Sequence, residues 1–349
     1  AMAQQAVLAI KEVPLQAGVS PQLLQLMETH LQAGNQVMLF LNRRGYAQSL
    51  LCHHCGWAAA CGRCDAYYTW HQGSHRLHCH HCDSQRPVPS HCPECGSADL
   101  QGTGVGTEQV EALLASHFPR FRTIRIDRDS TRRKGELEAH LEGIRQGEYQ
   151  ILIGTQMLAK GHHFPNVTLV GLLDVDSALF SQDFRATERL AQLYTQVAGR
   201  AGRASKPGLV VLQSHHPGHL LLQDLVQNGY DHFARTCLQE RSLLGLPPFA
   251  FQALLRSEAV HKTNVDQFML EVAGLIMNRR SLYPGLQVIG PISALMERRA
   301  GKYRMQLLLQ MPQRAPLAHL LTRILPEIEA LPSGRKVRWS LDVDPQELF

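Results

Sequence analysis

Apolar positions along this chain recur in short blocks that alternate between strand and helix spacing, and one long stretch breaks the alternation. Ser20-Pro21 sets an N-cap hydroxyl before a proline suited to the first helical turn, and Leu23, Leu24, Met27 and Leu31 repeat at helical spacing as far as Gly34-Asn35. Gln36 to Leu41 is a buried-strand candidate that ends in Asn42-Arg43-Arg44-Gly45-Tyr46. After the interruption come a helix from about Glu108 to Ser116, a strand Arg122 to Ile126 and a helix from about Lys134 to Arg145. A short buried strand at Tyr149 to Leu152 and a second apolar run, Val167 to Leu173, follow; Ala186 to Val197 is amphipathic at helical spacing. Gly208 to Gln213 reads as the last strand of this part, and helices near Gly218 to Gln227 and Tyr230 to Leu243 lead to a boundary at Leu246-Pro247-Pro248. Strands alternating with helices predict an open α/β sheet. Beyond the boundary the order becomes strand (Phe249 to Arg256), helix (Val265 to Arg279), strand (Leu286 to Met296), strand (Tyr303 to Gln310), helix (Pro316 to Ala330), strand (Val337 to Val343). That is the split βαβ pattern of α+β ferredoxin-like folds.

The interruption runs from Cys52 to Cys95, where eight cysteines and eight histidines crowd 44 residues with almost no aliphatic periodicity. Too little apolar material is present there for a core, so something else must hold it. The cysteines form four C-x-x-C knuckles: Cys52/Cys55, Cys61/Cys64, Cys79/Cys82 and Cys92/Cys95. One knuckle gives two thiolates to a tetrahedral ion, so four knuckles predict two zinc ions with four cysteines each. Disulfides are disfavoured because Ala1 to Glu12 has no secretory pattern. The inner knuckles are separated by fourteen residues that read as a hairpin, Tyr67 to Trp70 and Arg76 to His78 around Gln72-Gly73-Ser74, close to ribbon spacing. Pairing neighbours would leave five residues between Cys55 and Cys61, so nesting is expected: Cys52, Cys55, Cys92 and Cys95 on one ion, Cys61, Cys64, Cys79 and Cys82 on the other. His53, His54, His80 and His81 are then surface residues outside the metal shells.

Composition and charge change this picture little. At 349 residues, 44% hydrophobic and 19% charged, the chain can form two or three domains with real cores. No apolar run approaches the roughly eighteen residues a spanning helix needs, so no membrane partner is expected. Ala1-Met2-Ala3 reads as an appended start, and the natural chain is expected to extend upstream. A net charge of +5 permits nucleic acid binding without demanding it. From Leu246 onward thirteen Lys/Arg face nine Asp/Glu, and Arg298, Arg299, Lys302 and Arg304 cluster about the turn at Ala300-Gly301. Solvation and phosphate contact are evenly matched readings of that cluster.

The run Gln196-Val197-Ala198-Gly199-Arg200-Ala201-Gly202-Arg203 carries the sharpest chemistry. Helical steps of four and three would put Gln196, Arg200 and Arg203 on one face. Gly199 and Gly202 each cost a helix interior about 1 kcal/mol relative to Ala, which suits a site where backbone approaches a ligand. Paired guanidinium forks match phosphate oxygens. Upstream, the strand candidate before Gly154 runs into Thr155-Gln156-Met157-Leu158-Ala159-Lys160-Gly161, polar groups at a strand's carboxyl end. GTQMLAKGHHFPNVTLV and QVAGRAGR resemble motifs V and VI of superfamily-2 helicases, and LFLNRRGY resembles motif IV.

That resemblance implies a RecA-like second motor lobe. In it Arg200, Arg203 and Gln196 would act on a nucleotide held by a first lobe, and Gly161 and Gly199 would line the same nucleotide. Arg43, Thr155, Gln156 and Lys160 would meet DNA backbone. The chain contains no G-x-x-x-x-G-K-[ST], so ATP and magnesium would be shared with that first lobe. A lobe interrupted by eight cysteines in this order resembles the replication restart helicases of bacteria. Membership implies ATP-dependent 3′ to 5′ unwinding, single-stranded and forked DNA, other primosome proteins and single-stranded DNA-binding protein as partners, and a cytoplasmic, nucleoid-associated place. The expected organisation is lobe 2 over 1–50 and 101–245, an inserted zinc module over 51–100 and a C-terminal domain over 246–349. A non-enzymatic zinc-ribbon adaptor is the competing reading.

Overall fold

The computed structural model describes residues 3–41, 49–64, 66–71, 75–79, 84–103, 106–126, 131, 135–154, 164–181, 183–199 and 207–348. The first elements are β1 (Gln4–Ala9), α1 (Pro21–Gln32), β2 (Gln36–Leu41) and β3 (Leu50–Cys52). Three short strands, β4 (Thr69–His71), β5 (Arg76–His78) and β6 (Gln85–Pro87), precede β7 (Leu100–Gly102). Then come α2 (Thr107–His117), β8 (Thr123–Ile126), α3 (Glu136–Arg145), β9 (Ile151–Gly154) and β10 (Val167–Leu173). The one-turn α4 (Asp176–Leu179), α5 (Ala186–Ala198), β11 (Leu209–Ser214) and α6 (Leu220–Leu244) follow. The remainder is β12 (Phe251–Ala259), α7 (Lys262–Met277), β13 (Gln287–Arg299), β14 (Lys302–Met311), α8 (Arg314–Ala330) and β15 (Arg338–Val343). Two compact units result, residues 1–59 with 89–234, and residues 60–88 with 235–349.

The first unit is built on a six-stranded sheet in the order β1-β11-β10-β2-β9-β8, parallel at every pairing. Parallel strands bury both faces, and β2, β9 and β10 are buried along their whole length. α1 starts as its sequence predicts: Ser20 Oγ accepts the Leu23 N–H at 3.2 Å and Pro21 occupies the first turn. Its Leu23, Met27 and Leu31 pack with Val37, Leu39 and Leu41 of β2, Ile151 and Ile153 of β9, and Val110 and Leu114 of α2. Gly171 of β10 lies in that layer; a Cβ there would meet Leu39 Cδ2 at 2.6 Å and Leu23 Cδ2 at 3.2 Å, so the close seating of α1 needs glycine. β1 escapes the sequence reading because Gln4–Ala9 is a half-exposed edge strand without turn residues to frame it. The two helices expected over 218–243 are both present within Leu220–Leu244, and they meet at Gly229, whose backbone (φ 78°, ψ −177°) is not helical.

In the second unit β12 to β15 form an antiparallel sheet in the order β13-β14-β12-β15, the ferredoxin-like order expected. Ala253, Leu255, Leu307 and Leu309 of the sheet pack on Phe268 and Val272 of α7 and Leu320 and Ile324 of α8. Every one of these is almost wholly buried, and each large side chain contributes about 1.5–3 kcal/mol of burial free energy. β4, β5 and β6 form a small three-stranded antiparallel sheet in the same unit. Its first strand lies later than expected, since Tyr67 pairs with Ala60 instead of joining β4.

Candidate metal centres and motor-lobe site

The knuckles owe their shape to backbone turns that leave N–H groups pointing at sulfur. Trp57 N–H donates to Cys55 Sγ at 3.4 Å, and Arg63 N–H donates to Cys61 Sγ at 3.4 Å. Such donors favour the thiolate over the thiol. β3 pairs antiparallel with β7, and Cys52 N–H donates to Trp57 O at 2.8 Å, so the first knuckle closes directly on a strand.

Cys52, Cys55, Cys92 and Cys95 bring their four sulfurs within 4.8 Å of one another, and Cys61, Cys64 and Cys79 do the same. Cys52 Sγ to Cys95 Sγ is 3.6 Å, Cys55 Sγ to Cys92 Sγ 3.7 Å and Cys64 Sγ to Cys79 Sγ 3.6 Å. A tetrahedral zinc with bonds of about 2.3 Å sets its sulfurs about 3.8 Å apart, while a disulfide needs about 2.05 Å. None of these three separations is that of a disulfide. Cys82, the remaining cysteine of the inner group, lies outside the described residues.

The thiols of Cys55 and Cys92 shift in opposite directions when no cation joins them. Cys55 is pushed up to about 12, first by burial and also by Cys95, Cys92 and Cys52, against the Trp57 N–H that lowers it. Burial raises Cys92 too, but the N–H groups of Cys95 and Glu94 outweigh it and the net shift is downward. A dication between the sulfurs relieves this conflict by holding all four as thiolates, so the donor set fits zinc.

Of the histidines assigned to the surface, His54 is exposed and pairs with Glu12 at 2.8 Å, whereas His53 is buried and the expectation fails there. His53 Nδ1 lies 2.8 Å from His215 Nε2, and its Nε2 lies 2.8 Å from Val13 O. His215 Nδ1 in turn meets Asp176 Oδ2 at 2.6 Å, and Asp176 also accepts the His215 N–H at 2.9 Å and the Ser214 hydroxyl at 2.5 Å. His216 Nε2–H donates to Gly56 O at 2.6 Å, and burial first of all holds this imidazole below its usual range. Sequence reading missed Asp176, His215 and His216 as neighbours of the first knuckle. The signal available was the polar run Ser214-His215-His216 at the end of an apolar strand.

The motor-lobe residues divide by what the structure describes. Arg43 stands two residues past β2, and the run from Thr155 through Gln156, Lys160 and Gly161 begins where β9 ends, on the strand adjacent to β2. Those residues, with Arg200 and Arg203, lie outside the described residues. The helix bearing Gln196 runs to Ala198 and Gly199 caps it; Arg200 and Arg203, expected on one face with Gln196, fall outside the described residues. Gln196 and Gly199 are exposed. Asp183 fixes the start of that helix, accepting the Arg185 N–H at 3.0 Å and pairing with Arg189 at 2.9 Å.

At the tip of β13–β14, Ala300 and Gly301 both have positive φ, the geometry of a two-residue hairpin turn. Arg298 and Arg299 are exposed, and the Arg298 guanidinium lies 5.3 Å from the Tyr303 ring centroid. Lys302 Nζ donates to Glu258 Oε1 at 3.0 Å, which first of all lowers the Glu258 pKa. Lys302 is therefore paired with a carboxylate of its own domain.

Three family models match this chain: a helicase conserved C-terminal domain over residues 105–205, a PriA DNA helicase Cys-rich region over 61–87, and a primosomal protein N C-terminal domain over 242–346. Replication restart protein PriA of Haemophilus influenzae is 55% identical over 98% of this chain and 46% of its own length. The PriA proteins of Bacillus subtilis (36% identical, 93% of this chain, 40% of theirs) and Treponema pallidum (38%, 90%, 47%) are similar throughout. The chain spans about half the length, or less, of these relatives.

Proposed function

Because this chain belongs to the replication restart protein PriA family, we propose that it supplies the second motor lobe, zinc module and C-terminal domain of an ATP-dependent DNA helicase. The helicase acts at stalled or abandoned forks, unwinds 3′ to 5′ and starts primosome assembly. Lobe 2 occupies 1–50 and 101–245, the zinc module 51–100 and the C-terminal domain 246–349. The observation that carries this reading is the 55% identity sustained across 98% of the chain, lobe and zinc module included. That breadth disfavours the zinc-ribbon adaptor, which would need the cysteines alone.

In this reading Arg200 and Arg203, assisted by Gln196, meet the phosphates of ATP-magnesium held by a first lobe; Gly161 and Gly199 line the nucleotide. A guanidinium aimed at the transferred phosphoryl stabilises charge that grows in the transition state. Arg43, Thr155, Gln156 and Lys160 hold the backbone of single-stranded DNA at the carboxyl ends of β2 and β9, where open parallel sheets bind ligands. Two zinc ions, one per group of four cysteines, fix a module too poor in apolar residues to fold unaided. The module and the basic tip face forked DNA, single-stranded DNA-binding protein and other primosome proteins, in the cytoplasm at the nucleoid. DNA-stimulated ATP hydrolysis by the full-length protein tests this. Its appearance with fork DNA is expected, and its absence in a folded, zinc-loaded protein would leave the adaptor reading in place.

A further inference from the structure

The outer knuckle, Cys52-His53-His54-Cys55-Gly56, is gripped by the end of the parallel sheet. His53 Nδ1 meets His215 Nε2 at 2.8 Å, Gly56 O meets His216 Nε2 at 2.6 Å, and Glu12 N–H donates to His53 O at 3.1 Å. His215 and His216 follow β11 directly, and Ser214 O accepts the Ile10 N–H at 3.1 Å. Behind His215 stands Asp176, 3% exposed, its carboxylate accepting from the Ser214 hydroxyl and the His215 N–H and meeting the His215 ring. Asp176 opens α4, just past β10. A buried carboxylate is costly unless paired, so this one holds two neighbouring strand ends and one metal knuckle in a single arrangement.

We propose that Asp176, His215 and His216 are positioning residues that preorganise the outer four-cysteine cluster, so that zinc retention there depends on the motor lobe's sheet. The physical reason is that a C-x-x-C knuckle alone leaves Cys52 and Cys55 free to splay, whereas His53 and Gly56, beside them in sequence, are pinned by side chains more than 150 residues away. The coupling is reciprocal: an empty outer cluster loosens the segment from Asp174 to Phe180 as well. This inference rests on zinc occupying the outer cluster, and its test needs neither DNA nor ATP, so it can fail while the helicase reading stands.

The test uses the zinc-loaded 349-residue chain and a colorimetric chelator that reports released zinc. His215→Ala and Asp176→Ala should each speed release of the outer ion by roughly tenfold or more and leave the inner ion's rate unchanged. A Cys61→Ser background, in which only the outer ion remains, identifies the phase. The His215→Ala/Asp176→Ala double variant should release no faster than either single, because both cut one chain of hydrogen bonds. Asp176→Asn, whose amide oxygen can still accept from His215 while its NH2 turns to the Ser214 hydroxyl oxygen, should restore most of the retention. Amide exchange over 174–180 should rise when the outer ion alone is stripped. Wild-type release in every variant overturns the proposal. Equal acceleration of both ions, with a general fall in melting temperature, overturns it too, because the array would then serve only the lobe's stability.

Discussion

In sequence Arg200 directly follows Gly199, which caps the helix Ala186–Ala198, and Arg203 stands three residues further on. In the full-length protein Arg203→Ala or Arg200→Ala should lower the ATPase kcat by about 10³ to 10⁵, the range of an arginine finger, while DNA binding persists. A loss below about tenfold in both variants would remove the finger role. Gly56 makes a second prediction at this scale. Its φ is +82°, and a Cβ would meet Lys11 Cε at 2.6 Å and the His216 ring at 3.1 Å. Gly56→Ala should cost about 1–3 kcal/mol in urea unfolding, whereas Gly62→Ala, with open space about it, should cost little. Equal midpoints for both would refute the close approach. The cysteines were legible because ligand pairs are spaced locally, three residues apart. His53 was not, because its partner His215 is 162 positions distant and a histidine within a filled thiolate shell looks idle.

Among the elements, the β13–β14 hairpin carries a charge balance that binding should expose. Phosphate neutralisation releases counterions, so log K falls with log[salt] by roughly 0.7 to 0.9 per contact. Replacing Arg298, Arg299, Lys302 and Arg304 with Ala should weaken binding to unrelated DNA sequences alike and flatten the slope by up to about three units. Glu258→Gln should do the reverse: it frees Lys302 from its 3.0 Å bond and steepens the slope by about one contact. Slopes unchanged in both, at matched thermal melts, would return this tip to plain solvation. Periodicity made most elements legible: α1 follows Ser20-Pro21, and β2 and β10 match their apolar runs to the residue. It failed at β6, whose Gln85–Pro87 has no alternation and ends in proline, and at the pairing of Tyr67 with Ala60, a bridge that only the knuckle's turn brings about.

For the molecule as a whole, the alternation of strands and helices made a parallel sheet legible, but not the place of β1 beside β11, which joins residues some two hundred positions apart. The cysteine-rich stretch stood out for the opposite reason, since it interrupts periodicity with ligand pairs. Family membership was legible from short motifs rather than from the fold, as parallel α/β sheets serve many chemistries. Those motifs also say what the 349 residues lack. A phosphoryl-transfer site needs a loop that cradles the β- and γ-phosphates and a carboxylate that holds magnesium, and no G-x-x-x-x-G-K-[ST] occurs here. An arginine that stabilises transition-state charge has nothing to act on unless the phosphates are held in line with the attacking water. The isolated chain should therefore bind DNA in a salt-dependent manner yet hydrolyse ATP no faster than buffer, with or without DNA. Turnover by the pure chain, abolished by Arg203→Ala in that same chain, would mean that a complete nucleotide site lies within these residues and that the shared-site reading is wrong.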